Sequence, residues 1–388
     1  IKPDLQEERQ QGTDRGAINS EFRIQNSEFK ITHYQNKIDW GEAIDVSIFR
    51  GRQFELETLQ QWIIDDHCRL VALLGMGGIG KTSLAIKLAQ QMQEAFDAII
   101  WRSLRNAPSL AMLLSELVQF VSHQQDSSAD IRQLMHYLRA SRCLLILDNV
   151  ETILEPGKHA GHYRPEYEGY GELFRVIGET PHQSCLILTS REKPMEIATL
   201  EGSELSVRSL ALKGCSEAAQ ALLEAKGLSG STAQKQHLAE RYSNSPLAVK
   251  LVATSIQDLF DGEIEQFLAQ DTVFFNSVRY LLSQQFERLS PLEATIMCWL
   301  AINREWTTFS ALEADLVPPI SRVELLEALE SLSWRALIEK QSGSYTQQPV
   351  VMEYMTDQLL TQIANEFRLR SKSLGDIPNS EFRILTPS

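Results

Sequence analysis

The chain contains no apolar run long enough to cross a bilayer. Its longest uncharged apolar stretch is residues 296–302, far short of the roughly 18 residues that a spanning helix requires. Runs of four or more basic residues are also missing, and acids outnumber bases enough to give a net charge of −14. Such a chain repels nucleic acid and anionic lipid unless a local basic patch overrides the balance. The five cysteines, Cys68, Cys143, Cys185, Cys215 and Cys298, are odd in number and widely separated, and no two have the spacing of zinc ligands. Three of them lie in or beside apolar runs, where a thiol behaves as a small buried hydrophobe. Residues 1–11 are charged and lack the apolar segment of a secretory signal. These absences predict a reduced, cytoplasmic protein with no metal cluster and no membrane contact, and they argue against nucleic acid as a partner.

What the chain does have is ordinary globular composition, 43% hydrophobic and 23% charged over 388 residues, enough for two or three domains. The opening 44 residues are polar and carry a direct repeat, Asn19-Ser20-Glu21-Phe22-Arg23-Ile24 and then Asn26-Ser27-Glu28-Phe29-Lys30-Ile31. A third copy is Asn379-Ser380-Glu381-Phe382-Arg383-Ile384. Two heptad-spaced copies are too few for a coiled coil. By composition they read as disordered flanks, with docking peptides as the alternative.

From Arg69 onward, short continuous apolar runs at 70–74, 98–101, 143–147, 185–189 and 205–207 alternate with amphipathic stretches at 82–93, 110–122, 131–139 and 173–177. Unbroken apolar strands belong to a parallel sheet covered on both faces, and the alternation predicts a doubly wound α/β domain. After about residue 210 the pattern turns helical. Residues 216–226, 235–242 and 246–260 read as a small helical domain. Helices at 279–288, 291–302, 309–316 and 322–334, followed by strands at 337–339 and 344–346, read as a winged helix.

The strongest chemical signal is Gly75-Met76-Gly77-Gly78-Ile79-Gly80-Lys81-Thr82. It matches the P-loop pattern, with a strand entering and a helix leaving. Gly75, Gly77, Gly78 and Gly80 let backbone N–H groups curl around phosphate oxygens, and the helix that opens at Lys81, Thr82 and Ser83 adds the positive end of its dipole. Lys81 places a charge on the β- and γ-phosphates, and Thr82 offers a hydroxyl to Mg2+. A second apolar run, Cys143-Leu144-Leu145-Ile146-Leu147, ends in Asp148-Asn149-Val150-Glu151. That puts the Asp148 carboxylate at the carboxyl edge of the sheet, where it can hold Mg2+ with Thr82. Glu151 either polarises an attacking water or is a solvated carboxylate at a helix start. A third run ends Thr189-Ser190-Arg191-Glu192. Arg191 either reaches a γ-phosphate or pairs with Glu192 or Glu196 on its loop.

Together these residues resemble the NB-ARC group of signal-transduction ATPases, of the class also called STAND or AP-ATPases. The resemblance runs from about residue 49 to 362. Its form here, with Leu144-Leu145-Ile146-Leu147-Asp148-Asn149-Val150-Glu151 and Leu188-Thr189-Ser190-Arg191-Glu192-Lys193-Pro194, is similar to bacterial members that continue into WD-repeat propellers. The resemblance implies that Gly51 and Arg52 line the adenine and ribose side and that Pro246 packs against adenine. It also implies ATP and ADP as ligands with Mg2+, an ADP-bound resting state, an ATP-bound active one that forms a homo-oligomer, and protein signalling partners. Two motifs depart from the family pattern. Asn149 replaces a second acid and cannot act as a base, so hydrolysis falls to Glu151 or is slow. Gln348 and Pro349 replace the His and Asp of a motif whose His touches the ADP β-phosphate.

The sequence therefore predicts an α/β P-loop domain at 45–209 behind a disordered leader at 1–44. A helical domain at 210–270, a winged helix at 271–365 and a disordered tail at 366–388 follow. The expected function is a slow ATPase acting as a switch. The alternatives are an ATP-dependent regulator whose winged helix binds DNA and a mechanical AAA-type motor. Six Lys/Arg against nine Asp/Glu between residues 276 and 341 is the wrong sign for tracking DNA phosphates, and Ser245-Pro246-Leu247 offers no sensor arginine of the motor kind. The Gly- and Tyr-rich segment 155–171 is long for a βα connection. It is expected to pack its tyrosines on its own domain or against another subunit. No effector and no repeat array are recognised beyond the resemblance, so the chain is expected to be a truncated member or one that works with partners.

Overall fold

Six short strands form one parallel sheet in the computed structural model, which describes residues 37–270 and 276–373. They are β1 (Lys37–Asp39), β2 (Leu70–Leu74), β3 (Ala98–Ser103), β4 (Cys143–Asp148), β5 (Cys185–Ser190) and β6 (Val207–Ala211), in the order β1-β3-β4-β5-β2-β6. Central β2, β4 and β5 are buried along their whole length, the reason their sequences are unbroken aliphatic runs rather than alternating ones. Successive residues point to opposite faces. Leu70, Ala72, Leu145 and Leu147 pack on helices Leu110–Val121, Ile131–Ala140 and Gly169–Glu179. Val71, Leu73, Leu144 and Ile146 pack on helices Gln53–Gln60 and Lys81–Gln91. Register decides what meets at the carboxyl edge. Leu74 pairs with Ser190 and Ser103 with Asp148, so the segments leaving β2, β4 and β5 emerge side by side.

Two strand boundaries differ from expectation. Strand β1 lies within the stretch read as leader. It is a half-buried edge strand of alternating polar character, held by Asp39 to Arg102 at 2.8 Å and by Lys37 Nζ to the Phe120 carbonyl at 2.7 Å, and composition alone gives no apolar signal there. The sixth strand begins at Val207 rather than 205, because Leu205 sits on a turn closed by its N–H to the Gly202 carbonyl. Both repeat regions lie outside the described residues.

Beyond β6 come helices Ser216–Ala225, Thr232–Arg241, Pro246–Phe260 and Ile264–Leu268, then Asn276–Phe286, Pro291–Asn303, Phe309–Asp315 and Arg322–Trp334. Ser231, Ser290 and Ser321 each open a helix with a reciprocal capping box, the partners being Gln234, Glu293 and Glu324. Strands β7 (Thr307–Thr308), β8 (Ile338–Gln341) and β9 (Ser344–Gln347) form a small antiparallel sheet in the order β7-β9-β8. A final helix, Pro349–Ser373, runs past the expected border at 365. One apolar core runs through this half of the molecule, from Ala219 and Val252 through Leu300 and Leu329 to Met355, and it takes in Met76 of the glycine loop. The helical and C-terminal parts are thus packed as neighbours on that loop.

Candidate functional site

The glycine loop leaves β2 at its carboxyl end and turns into helix Lys81–Gln91. Gly78 has φ of +76° and Gly80 φ of +101°, conformations that residues with a Cβ seldom adopt. A Cβ on Gly78 would also stand 2.5 Å from the Cβ of Leu247. The side chain of Lys81 folds back over the loop, with Nζ donating to the carbonyls of Gly75 at 2.7 Å and Met76 at 3.0 Å. Burial pushes its pKa down to about 8, while the negative charge of Glu151 acts in the opposite direction. A desolvated cation under a turn of N–H groups is a site prepared for a polyanion. Thr82 and Ser83 follow in the first helical turn, where N–H groups have no carbonyl behind them.

Asp148 stands beside this turn. Its Oδ1 accepts from the Thr82 hydroxyl at 2.7 Å and from the Thr189 hydroxyl, and burial raises its pKa. A hydroxyl and a carboxylate converging in this way suit a hard divalent cation that keeps most of its other ligands as water and phosphate. Next to it, Asn149 takes a left-handed backbone with φ of +65° and donates its N–H to Thr189 Oγ1 at 3.2 Å. Its side-chain Oδ1 is buried without a donor, a further oxygen available to such a cation's water shell. Among the described residues no cluster of three or more metal-ligating side chains occurs.

Glu151 is buried, 6% exposed, in the 3-10 turn Val150–Ile153, so it is not a solvated carboxylate. It pairs with Arg191, Oε1 to Nε at 3.1 Å, and accepts the Arg191 backbone N–H at 3.2 Å. The sequence offered Glu192 and Glu196 as partners for Arg191, and both are engaged elsewhere. Glu196 accepts from the Tyr163 hydroxyl at 2.5 Å, and Glu192 binds Arg288 and Arg335. The guanidinium of Arg191 instead lies on Gly77, whose added Cβ would be 3.1 Å from Arg191 Cζ.

Arg52 approaches from the other side. Its guanidinium donates to the Ile79 carbonyl at 2.8 Å and the Lys213 carbonyl at 2.7 Å, and pairs with Glu55 at 2.7 Å. Gly51, at φ of +72°, leaves room for Cys215 and Glu217 of the helical part. Pro246 sits in the first turn of its helix, and the next residue, Leu247, donates its N–H to the Gly78 carbonyl at 3.2 Å. Gln348 is half-buried at the start of the last helix, in a small apolar recess lined with Met76, Gly77, Ile79 and Ser245. Its own carbonyl accepts from the N–H groups of Val351 and Met352. The tyrosines of 155–171 pack on their own domain, with Tyr167 and Tyr170 donating to the carbonyls of Ala107 and Pro108. His159 stacks edge-on against Trp334.

Three elements of the site escaped sequence reasoning. Gln285 places its side-chain oxygen 3.2 Å from the Gly77 N–H. Leu247 covers Gly78. The Glu192, Arg288, Arg335 and Glu293 cluster joins the edge of the sheet to the C-terminal part. None of these carries a local signal, because each depends on a partner far away in the chain.

Residues 52–155 match the NB-ARC domain family. The chain is 52% identical over 349 residues to an uncharacterized WD repeat-containing protein of Nostoc sp., a match covering 85% of this chain and 28% of that protein. It is 26% identical over 163 residues to a probable disease resistance protein of Arabidopsis thaliana, covering 39% of this chain and 20% of the relative. The chain thus spans under a third of the length of either relative. Among solved structures, a Walker-type ATPase of Pyrococcus abyssi superposes with a TM-score of 0.56 at 15% identity, covering 79% of this chain and 95% of that one. That likeness concerns the fold. The chain thus carries an NB-ARC domain over residues 52–155, on a fold like that of a Walker-type ATPase.

Proposed function

We infer that this NB-ARC chain is a nucleotide-operated switch: ADP holds the P-loop domain, the helical part and the C-terminal module together, and ATP releases them for self-assembly. The observation that carries this reading is the convergence on one glycine loop. Leu247 of the helical part binds the Gly78 carbonyl, and Gln285, from the helix that leads into the C-terminal module, binds the Gly77 N–H. Anything that changes the loop's occupancy is therefore felt by both neighbours. Lys81, the loop N–H groups and Ser83 bind phosphates, while Gly51, Arg52 and Pro246 border the nucleoside side. Gln348 takes the position from which a winged helix would touch ADP. Mg2+, held by Thr82 and Asp148, neutralises charge on the terminal phosphates when bound. Glu151 orients the attacking water once Arg191 leaves it for phosphate. With Asn149 beside it in place of a second acid, turnover is slow. The relevant compartment is the cytoplasm, and the partners are further copies of the chain and signalling proteins. The Nostoc relative is by name a WD repeat-containing protein.

Calorimetric titration of the parent and of Lys81→Ala with ADP and ATP tests the reading. Loss of the charge-assisted phosphate contact should cost about 1.5–3 kcal/mol or more in both titrations. Equal affinities in parent and variant would overturn the assignment of the loop.

A further inference from the structure

Gln285 stands 208 positions beyond Gly77, in helix Asn276–Phe286. Its side chain is buried, and its two contacts fix which way the amide points. Oε1 accepts from the Gly77 N–H at 3.2 Å, and Nε2 donates to the Arg335 carbonyl at 3.3 Å. Gly77 belongs to the end of the loop where Arg191 rests, the cation placed to meet a terminal phosphate. The recess around it is apolar, with Met76, Val278 and Leu282 on its walls. An N–H in such surroundings must have an acceptor. Arg335, in turn, is buried in the seam with Glu192, Glu293 and the Lys158 carbonyl. One amide therefore links a phosphate-loop N–H to the residue that closes the seam between the sheet edge and the C-terminal module.

A phosphate oxygen is a much stronger acceptor for that N–H than a neutral amide, and the two cannot share it. We propose that Gln285 is a phosphate-discriminating residue. Its amide holds the Gly77 N–H against the terminal phosphate of a nucleoside triphosphate. A triphosphate must displace it and so loosen Arg335, whereas a diphosphate leaves it in place. The proposal rests on the reading of the glycine loop as an ADP/ATP site. Phosphate selectivity and opening of the seam then share one side chain.

The test uses Gln285→Met on the full chain, a change that keeps length and volume but cannot donate and accepts only weakly. ADP and ATP affinities are measured separately by calorimetry, and the radius of gyration is followed by small-angle X-ray scattering as each nucleotide is added. The affinity ratio of ATP to ADP should rise about fivefold, the value of one neutral hydrogen bond, with ADP affinity nearly unchanged and expansion reached at lower ATP. Gln285→Leu should shift the ratio in the same direction, which guards against a folding defect peculiar to one variant. If the folded variants keep the parent's ratio, Gln285 is a structural amide and the proposal is overturned, while the nucleotide reading stands. If the parent binds neither nucleotide, that reading falls and takes this proposal with it.

Discussion

Glu192 forms an ion pair with Arg335, 143 positions further along the chain. The same carboxylate oxygen accepts from Arg288, while Arg335 also reaches Glu293 at 3.3 Å. Glu192 directly follows Arg191, so the residue that rests on the glycine loop and the residue that anchors the C-terminal module are covalent neighbours. A single peptide bond separates them.

Removing one member of a buried pair leaves the others charged and desolvated, at a cost of about 3–5 kcal/mol. Arg335→Met is therefore expected to open the seam. Its radius of gyration in ADP should approach that of the parent in ATP, with a lower melting temperature. Glu192→Gln should do the same, and the double variant should cost less than the two singles added together. Additive effects in the thermal midpoints would show that the pair is not coupled.

Lys81 makes nucleotide binding depend on pH on the alkaline side. With its pKa near 8 in the free protein, a growing share of the amine is neutral above that pH. Binding a polyanion restores the charge, so the complex takes up a proton. ATP affinity should fall as pH rises from 8 to 9, by about tenfold per unit at most, and change little below 7.5. Lys81→Arg, which does not titrate there, should flatten the curve at whatever affinity it retains. Fluorescent-nucleotide titrations at several pH values decide between these outcomes.

Hydrolysis should be well below the roughly 1–100 s⁻¹ typical of kinases. Glu151→Gln is expected to slow it a further tenfold or so, within the range of general-base contributions, with nucleotide affinity kept. Asn149→Asp should raise it, because the left-handed backbone at this position accepts Asp as well as Asn. Single-turnover phosphate release measures both. A Glu151→Gln rate equal to the parent's would reduce Glu151 to a tether for Arg191.

His182 predicts acid lability of the sheet. Its Nε2 meets the Ile177 carbonyl at 3.0 Å, and its Nδ1 accepts from Ser184 N at 3.1 Å. These contacts require a neutral ring, and burial pushes the pKa down to about 4 from 6.5. The unfolded chain then binds a proton that the native one refuses. Stability should drop as pH falls from 6.5 toward 4, by on the order of 2–3 kcal/mol, and this contribution should level off below that. His182→Asn keeps an acceptor for Ser184 and should show a shallower decline in urea midpoints over the same range.

Much of the site was legible because its chemistry is written contiguously. The loop from Gly75 to Thr82 and the acid that ends β4 each announce themselves within ten residues, and apolar runs located five of the six strands, the last with its start set two residues early. What stayed hidden depends on partners distant in the chain. Arg191 turned to Glu151 rather than to the acids on its own loop, and Gln285 sits in an unremarkable helix with no motif. Strand β1 escaped notice because a polar edge is stabilised by Arg102 and Phe120, not by its own composition. On the C-terminal module the sequence pointed to Gln348 alone, while Gln285 makes the direct contact with the glycine loop.

The hydrogen bond from Leu247 to the Gly78 carbonyl has a consequence for anyone cutting the gene. Gly214 is pressed against Ser243 and Asn244 so closely that an added Cβ would collide with the backbone, and the Cys215 N–H is bound to the Asn244 carbonyl at 3.0 Å. A fragment stopped at residue 210 would strip the loop of its cover, remove Leu212 from the core and expose Met76 to water. A fragment stopped at residue 270 would in turn cut the apolar core that runs on to Met355, so the border at 210 is one of sequence pattern and not a place where the folded polypeptide comes apart.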